Sequence, residues 1–156
     1  MKHLFLSVIS LCALRVLCGG APDLRDSQTK QTVFVVSHRG DWQVAPENSI
    51  AAFTAAIRAG AAILETDVRL TKDKHCVLLH DASLERTTNG RGLLANATLE
   101  DVRSLRLRDA LGTLTHERIP TLKAALLFAK AQNVYLYLAN ADAPEGAVIP
   151  VVLALA

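Results

Sequence analysis

The chain alternates short apolar runs with amphipathic stretches, and that alternation predicts its elements. Val33-Phe34-Val35-Val36 is continuous and rich in β-branched residues, as in a strand buried on both faces. It ends at the loop Ser37-His38-Arg39-Gly40. Ser49 to Ala59 places Ile50, Phe53 and Ile57 at helical spacing, with Asn48 or Ser49 as N-cap and Gly60 closing the helix. Residues 62–68 predict a second strand, in which Glu65 and Asp67 share a face opposite Leu64, Thr66 and Val68. A turn at Thr71-Lys72-Asp73-Lys74 leads into a third strand, Cys76 to Leu79, which ends on His80-Asp81. Thr98, with Asp101 three residues on, caps a short helix from Leu99 to Leu105. Pro120-Thr121 opens another from Leu122 to Ala131, and Val134 to Leu138 is a fourth strand. The last residues, Val148 to Ala156, are apolar.

This order predicts an α/β fold in which buried strands carry polar residues at their C-terminal tips, as a (β/α) barrel needs for a site at its top face. Four strands are read where a closed barrel has eight, so the expectation is the first half of a barrel. Such a half exposes a sheet edge and an apolar inner face, which self-association would cover.

Composition adds bounds. The 156 residues are half apolar and 21% charged, the balance of a folded domain. A net charge of +2, with basic residues scattered, gives no footprint for a nucleic-acid partner. Residues 1–20 differ from the rest: Lys2 precedes an uncharged run from Leu4 to Leu14, and Gly19, Gly20 and Ala21 follow. That is the pattern of a secretory signal, too short for a stable membrane span, and it implies a secreted or periplasmic protein. The domain reading is a signal at 1–20, a polar linker at 21–32 and a barrel domain from 33 to 156. Cys12 and Cys18 lie in the signal, leaving Cys76 as a lone core thiol.

The chemistry collects at three strand ends, His38-Arg39, Glu65 with Asp67, and His80-Asp81. If those strands are parallel neighbours, their tips converge. Two histidines across a site serve as general acid and base. Two carboxylates on one strand face hold a hard divalent cation through oxygen, and Arg39 can clamp a phosphate. Each residue alone has a plainer reading, as a satisfied strand-end histidine, a solvated carboxylate or a surface charge. Together, within residues 38–81, they suit phosphoryl-type transfer.

In order, His38-Arg39-Gly40, Pro46-Glu47-Asn48, Glu65-Thr66-Asp67-Val68, Thr71-Lys72-Asp73, His80-Asp81, Leu84-Glu85-Arg86-Thr87-Thr88 and Ile119-Pro120-Thr121-Leu122 resemble the glycerophosphodiester phosphodiesterase family. The resemblance covers residues 34 to about 123. It implies a TIM barrel that hydrolyses small-molecule glycerophosphodiesters to sn-glycerol 3-phosphate and an alcohol, in phospholipid degradation. By that likeness His38 and His80 are the catalytic acid/base pair, Arg39 binds the phosphate, and Glu65 and Asp67 ligate Mg²⁺ or Ca²⁺. Glu47 would be a further ligand or a hydrogen-bond partner to a histidine, and Asp81 a supporting group.

The chain departs from that family on the fourth strand. The family usually carries an acid there, followed two positions later by Lys; this strand reads Tyr135-Leu136-Tyr137-Leu138-Ala139-Asn140. Lys74 also stands where the family's turn has Gly. Two functions therefore compete, a metal-dependent diesterase and an inactive remnant or phosphate-binding module of the same family. A phosphoinositide-type lipase or spider-toxin phospholipase D shares the barrel chemistry but is less similar over Pro46 to Asn48 and Leu84 to Thr88.

Overall fold

The computed structural model describes residues 34–139. The signal and linker readings, Val33 and the apolar C-terminal stretch lie outside the described residues. Chain order is β1 (Val36–His38), α1 (Ile50–Arg58), β2 (Ile63–Leu70), β3 (Cys76–Leu78), α2 (Leu99–Ser104), α3 (Leu122–Gln132) and β4 (Tyr135–Ala139). A single 3-10 turn at Leu94–Asn96, which the apolar pattern did not predict, precedes α2.

β2 organises the sheet. Its first half is flanked by β1 and β4, both parallel to it, with His38 opposite Glu65 and Ala139 opposite Asp67. Its second half pairs with β3, with Val68 opposite Leu78 and Leu70 opposite Cys76. That pairing is antiparallel, which corrects the expectation of three parallel strands. The residues between β2 and β3 form only a tight turn, and parallel neighbours need a crossover of a dozen residues or more. The hairpin still returns the chain to the level of Asp67, because the Leu79 amide donates to the Asp67 carbonyl at 3.1 Å. His80 therefore reaches the site by a hairpin.

The helices follow their sequence signals. Ser49 Oγ caps α1 by accepting from the Ala52 amide. Thr98 and Asp101 form a reciprocal capping box on α2, and Thr121 Oγ1 caps α3. Phe53 of α1 and Leu122 and Leu126 of α3 cover the Leu64 and Val68 face of β2, forming the main core. Cys76 is buried in it, and burial raises its thiol pKa, as expected of a core cysteine. A second cluster, including Val77, Leu79, Leu84, Val102 and Ile119, fixes the long segment between β3 and α3.

β1 departs from expectation. It begins at Val36 and is not buried on both faces: Val35 and Val36 are 54% and 51% exposed. Among the described residues β1 pairs only with β2, so nothing covers its other edge. β4 starts one residue later than predicted, because Asn133 ends α3 in the left-handed conformation.

Two left-handed turns matter to the site. Gly40 has φ +76° and lies so close to α1 that a Cβ would fall 2.7 Å from the Ala52 carbonyl carbon. Only glycine lets the β1–α1 loop pass there. Lys74, at φ +66°, holds the β2–β3 turn in the same region with a side chain that resists it. Lys74→Gly is expected to raise stability by roughly 0.5–1 kcal/mol, the relieved strain less the glycine's entropy. A urea denaturation curve checks this, with an unchanged or lower midpoint counting against a strained turn.

Candidate active site

The site begins with two carboxylates on β2. Glu65 and Asp67 are 6% and 2% exposed, so each needs a partner. The β1–α1 loop supplies both. After His38 the chain turns through Arg39 at φ +58°, which swings the Arg39 amide onto Glu65 Oε2 at 2.9 Å. Arg39 Nε lies 3.1 Å from Asp67 Oδ2, an ion pair whose geometry leaves that buried N–H without an aligned acceptor. Asn48, also left-handed at φ +58°, reaches across to β2. Its Nδ2 donates to Asp67 Oδ2 at 3.1 Å, and its Oδ1 accepts from Thr66 Oγ1 at 2.7 Å and from the Asp67 amide at 3.2 Å. Asn48 thus takes over the edge of β2 where β1 turns away.

From Arg39 the charges alternate outward. Its Nη1 donates to Glu47 Oε1 at 3.2 Å. Glu47 receives two hydrogen bonds from Arg86, at 2.7 and 2.9 Å. Arg86 also donates to Asp81 through Nε at 2.6 Å and Nη2 at 2.9 Å. Asp81 Oδ1 lies 2.6 Å from His80 Nδ1. An unbroken chain of ion pairs and hydrogen bonds therefore runs Asp67, Arg39, Glu47, Arg86, Asp81, His80.

Glu47 pairs with two arginines rather than with a histidine, which corrects that half of its sequence reading. Arg39 already spends two nitrogens on Asp67 and Glu47, which hold its guanidinium in a fixed position. His38 is 64% exposed on its side chain, with Nε2 3.9 Å from Glu65 Oε2. His80 is better held: Asp81 fixes its Nδ1 side and leaves Nε2 to carry a proton. Asn48 and Arg86 were missed as site residues. The signal was present, since both belong to motifs quoted for the resemblance, but neither is a usual acid, base or ligand.

Burial pushes the Glu65 carboxyl up, and the charge of Asp67 adds to this against the Arg39 amide bond. Burial also pushes Glu47 up, but the hydrogen bonds and charges of Arg86 and Arg39 outweigh it and leave Glu47 below its ordinary value. Hydrogen bonding from Arg86 holds Asp81 well below the usual range, with His80 adding to it. Glu65 and Asp67 are hard oxygen donors side by side, and their buried negative charge is only partly balanced by Arg39. They fit a hard cation in donor class and charge. No group of three His, Cys, Asp or Glu side chains stands ready to hold one among the described residues. The neighbour of Asp67 on β4 is Ala139.

The profile of the glycerophosphoryl diester phosphodiesterase family matches residues 38–145, which is most of the chain. The chain belongs to that family. A glycerophosphodiester phosphodiesterase of Caldanaerobacter subterraneus subsp. tengcongensis is 48% identical over 89 residues, covering 56% of this chain and 37% of the relative. Mouse glycerophosphodiester phosphodiesterase 1 is 39% identical over 114 residues, covering 69% of this chain and 34% of the relative. This family member thus spans little more than a third of those relatives' length. A glycerophosphoryl diester phosphodiesterase structure from Parabacteroides distasonis superposes with a TM-score of 0.71 at 36% identity, covering 78% of this chain and 43% of that one. A phosphodiesterase of Oleispira antarctica, solved with its product sn-glycerol-3-phosphate, gives 0.66 at 29% identity, covering 79% and 51%. The fold is therefore part of the TIM barrel of this family. No helix among the described residues is long and apolar enough to cross a membrane.

Two outcomes test the site's construction. Asn48→Ala leaves the Thr66 hydroxyl and the Asp67 amide buried without partners and is expected to destabilise by about 2–3 kcal/mol in urea denaturation; a loss under half of that would mean water replaces Asn48. Asp81 is depressed in the folded state, so its stabilisation is complete above the ordinary carboxylate value of about 4 and is lost as pH falls below it. Asp81→Asn should flatten the dependence of stability on pH between about 5 and 2. An unchanged slope would show that Arg86 does not hold Asp81 in solution.

Proposed function

We propose that this chain carries the reacting half of a glycerophosphodiester hydrolase site, yielding sn-glycerol 3-phosphate and an alcohol. The observation that carries the reading is the His80–Asp81 pair, tied by one charge network to a buried Glu65–Asp67 pair beside His38. The relatives' names and the product bound to the Oleispira antarctica enzyme supply the substrate class.

In this mechanism one histidine takes the proton of the glycerol hydroxyl next to the ester as its oxygen attacks phosphorus. The other histidine protonates the leaving alcohol, and water then opens the cyclic ester with the proton roles reversed. His80, with Nδ1 anchored on Asp81, exchanges its proton at Nε2. His38 exchanges with solvent from its exposed position. Arg39 meets the phosphoryl oxygens from the place where Asp67 and Glu47 hold it, so little reorganisation is needed as charge develops. Glu65 and Asp67 would hold Mg²⁺ or Ca²⁺, which when bound neutralises charge on those oxygens. Export directed by residues 1–20 and a role in phospholipid degradation belong to the same proposal.

A second reading has its own support. The fourth strand, on which the family usually carries an acid, offers none here, and the residue in register with Asp67 is Ala139. That favours a module which keeps the phosphate site without turnover.

Release of glycerol 3-phosphate from glycerophosphocholine separates the two readings. The hydrolase reading expects turnover with Mg²⁺ or Ca²⁺, its loss with chelator, and a fall of at least about 10²-fold in His38→Ala. A folded sample that turns over nothing would leave the binding module.

A further inference from the structure

The chain of ion pairs reaches His80 from outside, but a second and shorter connection ties the same histidine to β2. Alternation along β2 puts Arg69 on the face that carries Glu65 and Asp67, two residues and roughly 7 Å beyond Asp67. At that point β2 has left β1 and runs against β3, with Arg69 opposite Val77. The Arg69 side chain extends past the end of β3, and its Nε donates to the His80 carbonyl at 2.7 Å. One residue earlier, the Leu79 amide donates to the Asp67 carbonyl at 3.1 Å. The step from Leu79 to His80 is thus held to β2 twice, once by backbone and once by a side chain.

A carbonyl that leaves a strand end needs a partner, and a guanidinium N–H supplies a short, charge-assisted bond. This bond is part-buried, where water competes less. The outer route is a looser clamp. Arg86 is 48% exposed on its side chain, and exposed pairs hold long side chains weakly. Asp81 orients the His80 ring through Nδ1. It does not fix the backbone from which that ring hangs, because Asp81 is the next residue on the same loop and moves with it.

We propose that Arg69 is the positioning residue for His80. Through the His80 carbonyl it fixes the distance between the imidazole and the carboxylates of Glu65 and Asp67, because all three are then referred to one strand. That role rests on the hydrolase reading and extends it to a residue outside the reacting groups. The N–H does this work rather than the charge, since its acceptor is a neutral carbonyl. A guanidinium that bound the phosphate would instead depend on its charge.

Two replacements in the full chain separate donor from charge. Arg69→Gln puts an amide N–H where Nε stands and removes the charge, whereas Arg69→Met keeps the stem and removes both. Arg69→Met is expected to lower kcat for glycerol 3-phosphate release from glycerophosphocholine at least about 10-fold, with KM within about 2-fold. Hydrogen exchange of the Leu79 amide should quicken at least about 10-fold in the same variant. Arg69→Gln is expected to recover at least about a third of kcat and to restore the slow exchange. Should Arg69→Met not fold, Arg69→Lys takes its place, with a methylene at the Nε position. A wild-type kcat in Arg69→Met, or a loss carried by KM, overturns the proposal. So does Arg69→Gln as impaired as Arg69→Met, which would give the charge a direct role on the phosphate. Leu79 exchange keeps the two readings apart. Faster exchange in Arg69→Met, reversed in Arg69→Gln, in a chain that releases nothing keeps the tie to His80 and sinks the hydrolase. Release with neither kcat nor exchange altered keeps the hydrolase and sinks the role of Arg69.

Discussion

The structure turns on the cost of burying two carboxylates side by side on its central strand. Glu65 and Asp67 are nearly inaccessible on β2, and a buried anion without partners is strongly unfavourable. The β1–α1 loop is shaped around that demand. Arg39 and Asn48 both take left-handed conformations, strained for residues with a Cβ, and in doing so bring an amide, a guanidinium and a carboxamide onto β2. Gly40 then lets the loop pass against α1 without a clash. The left-handed turns at Arg39 and Asn48 serve that one electrostatic requirement.

The same requirement propagates outward. Arg39 is held by Glu47, Glu47 by Arg86, Arg86 by Asp81, and Asp81 orients His80. Each partner is fixed on both sides, so the network joins a loop after β1 to a loop after β3 although the two are distant in sequence. An exposed ion pair is worth little, because water competes and long side chains lose freedom. This chain gains from being anchored at its buried end, where Asp67 is 2% exposed. The hydrophobic cluster of Leu79, Leu84 and Leu107 supports the far end, holding the segment that carries Arg86.

Much of this was legible in the residues. The alternation in Glu65-Thr66-Asp67-Val68 placed both carboxylates on one face, and the helix starts at Thr98 and Thr121 were readable from residue type and spacing, while the cap of α1 was narrowed to Asn48 or Ser49. The direction of β3 was misread: Cys76 to Leu79 has the same apolar pattern whether it runs up or down, but the short turn at Thr71 to Lys74, itself readable in the sequence, leaves room only for an antiparallel hairpin. The exposure of Val35 and Val36 was hidden, since burial depends on what pairs with an edge and not on the strand's own composition. Asn48 and Arg86 escaped because their roles are to hold other groups. A carboxamide that completes a sheet edge and a guanidinium that bridges two acids leave no periodic trace.

Charge balance bears on what Ala139 means beside Asp67. The network holds four carboxylates, Glu47, Glu65, Asp67 and Asp81, against the guanidiniums of Arg39 and Arg86. With both histidines neutral it carries a net charge of about −2. A divalent cation held by Glu65 and Asp67 would bring it to neutrality, and a phosphodiester could then approach without repulsion. A further acid at position 139 would add negative charge beside Arg69, whose Nε donates to the His80 carbonyl at 2.7 Å. Ala139, in register with Asp67, adds no carboxylate to this group. Were Glu65 and Asp67 to hold Mg²⁺ or Ca²⁺, two protein carboxylates would bind it less tightly than three. Under the proposed hydrolase reading, the expected consequence of Ala139 is a higher cation requirement, with the His80–Asp81 pair left in place.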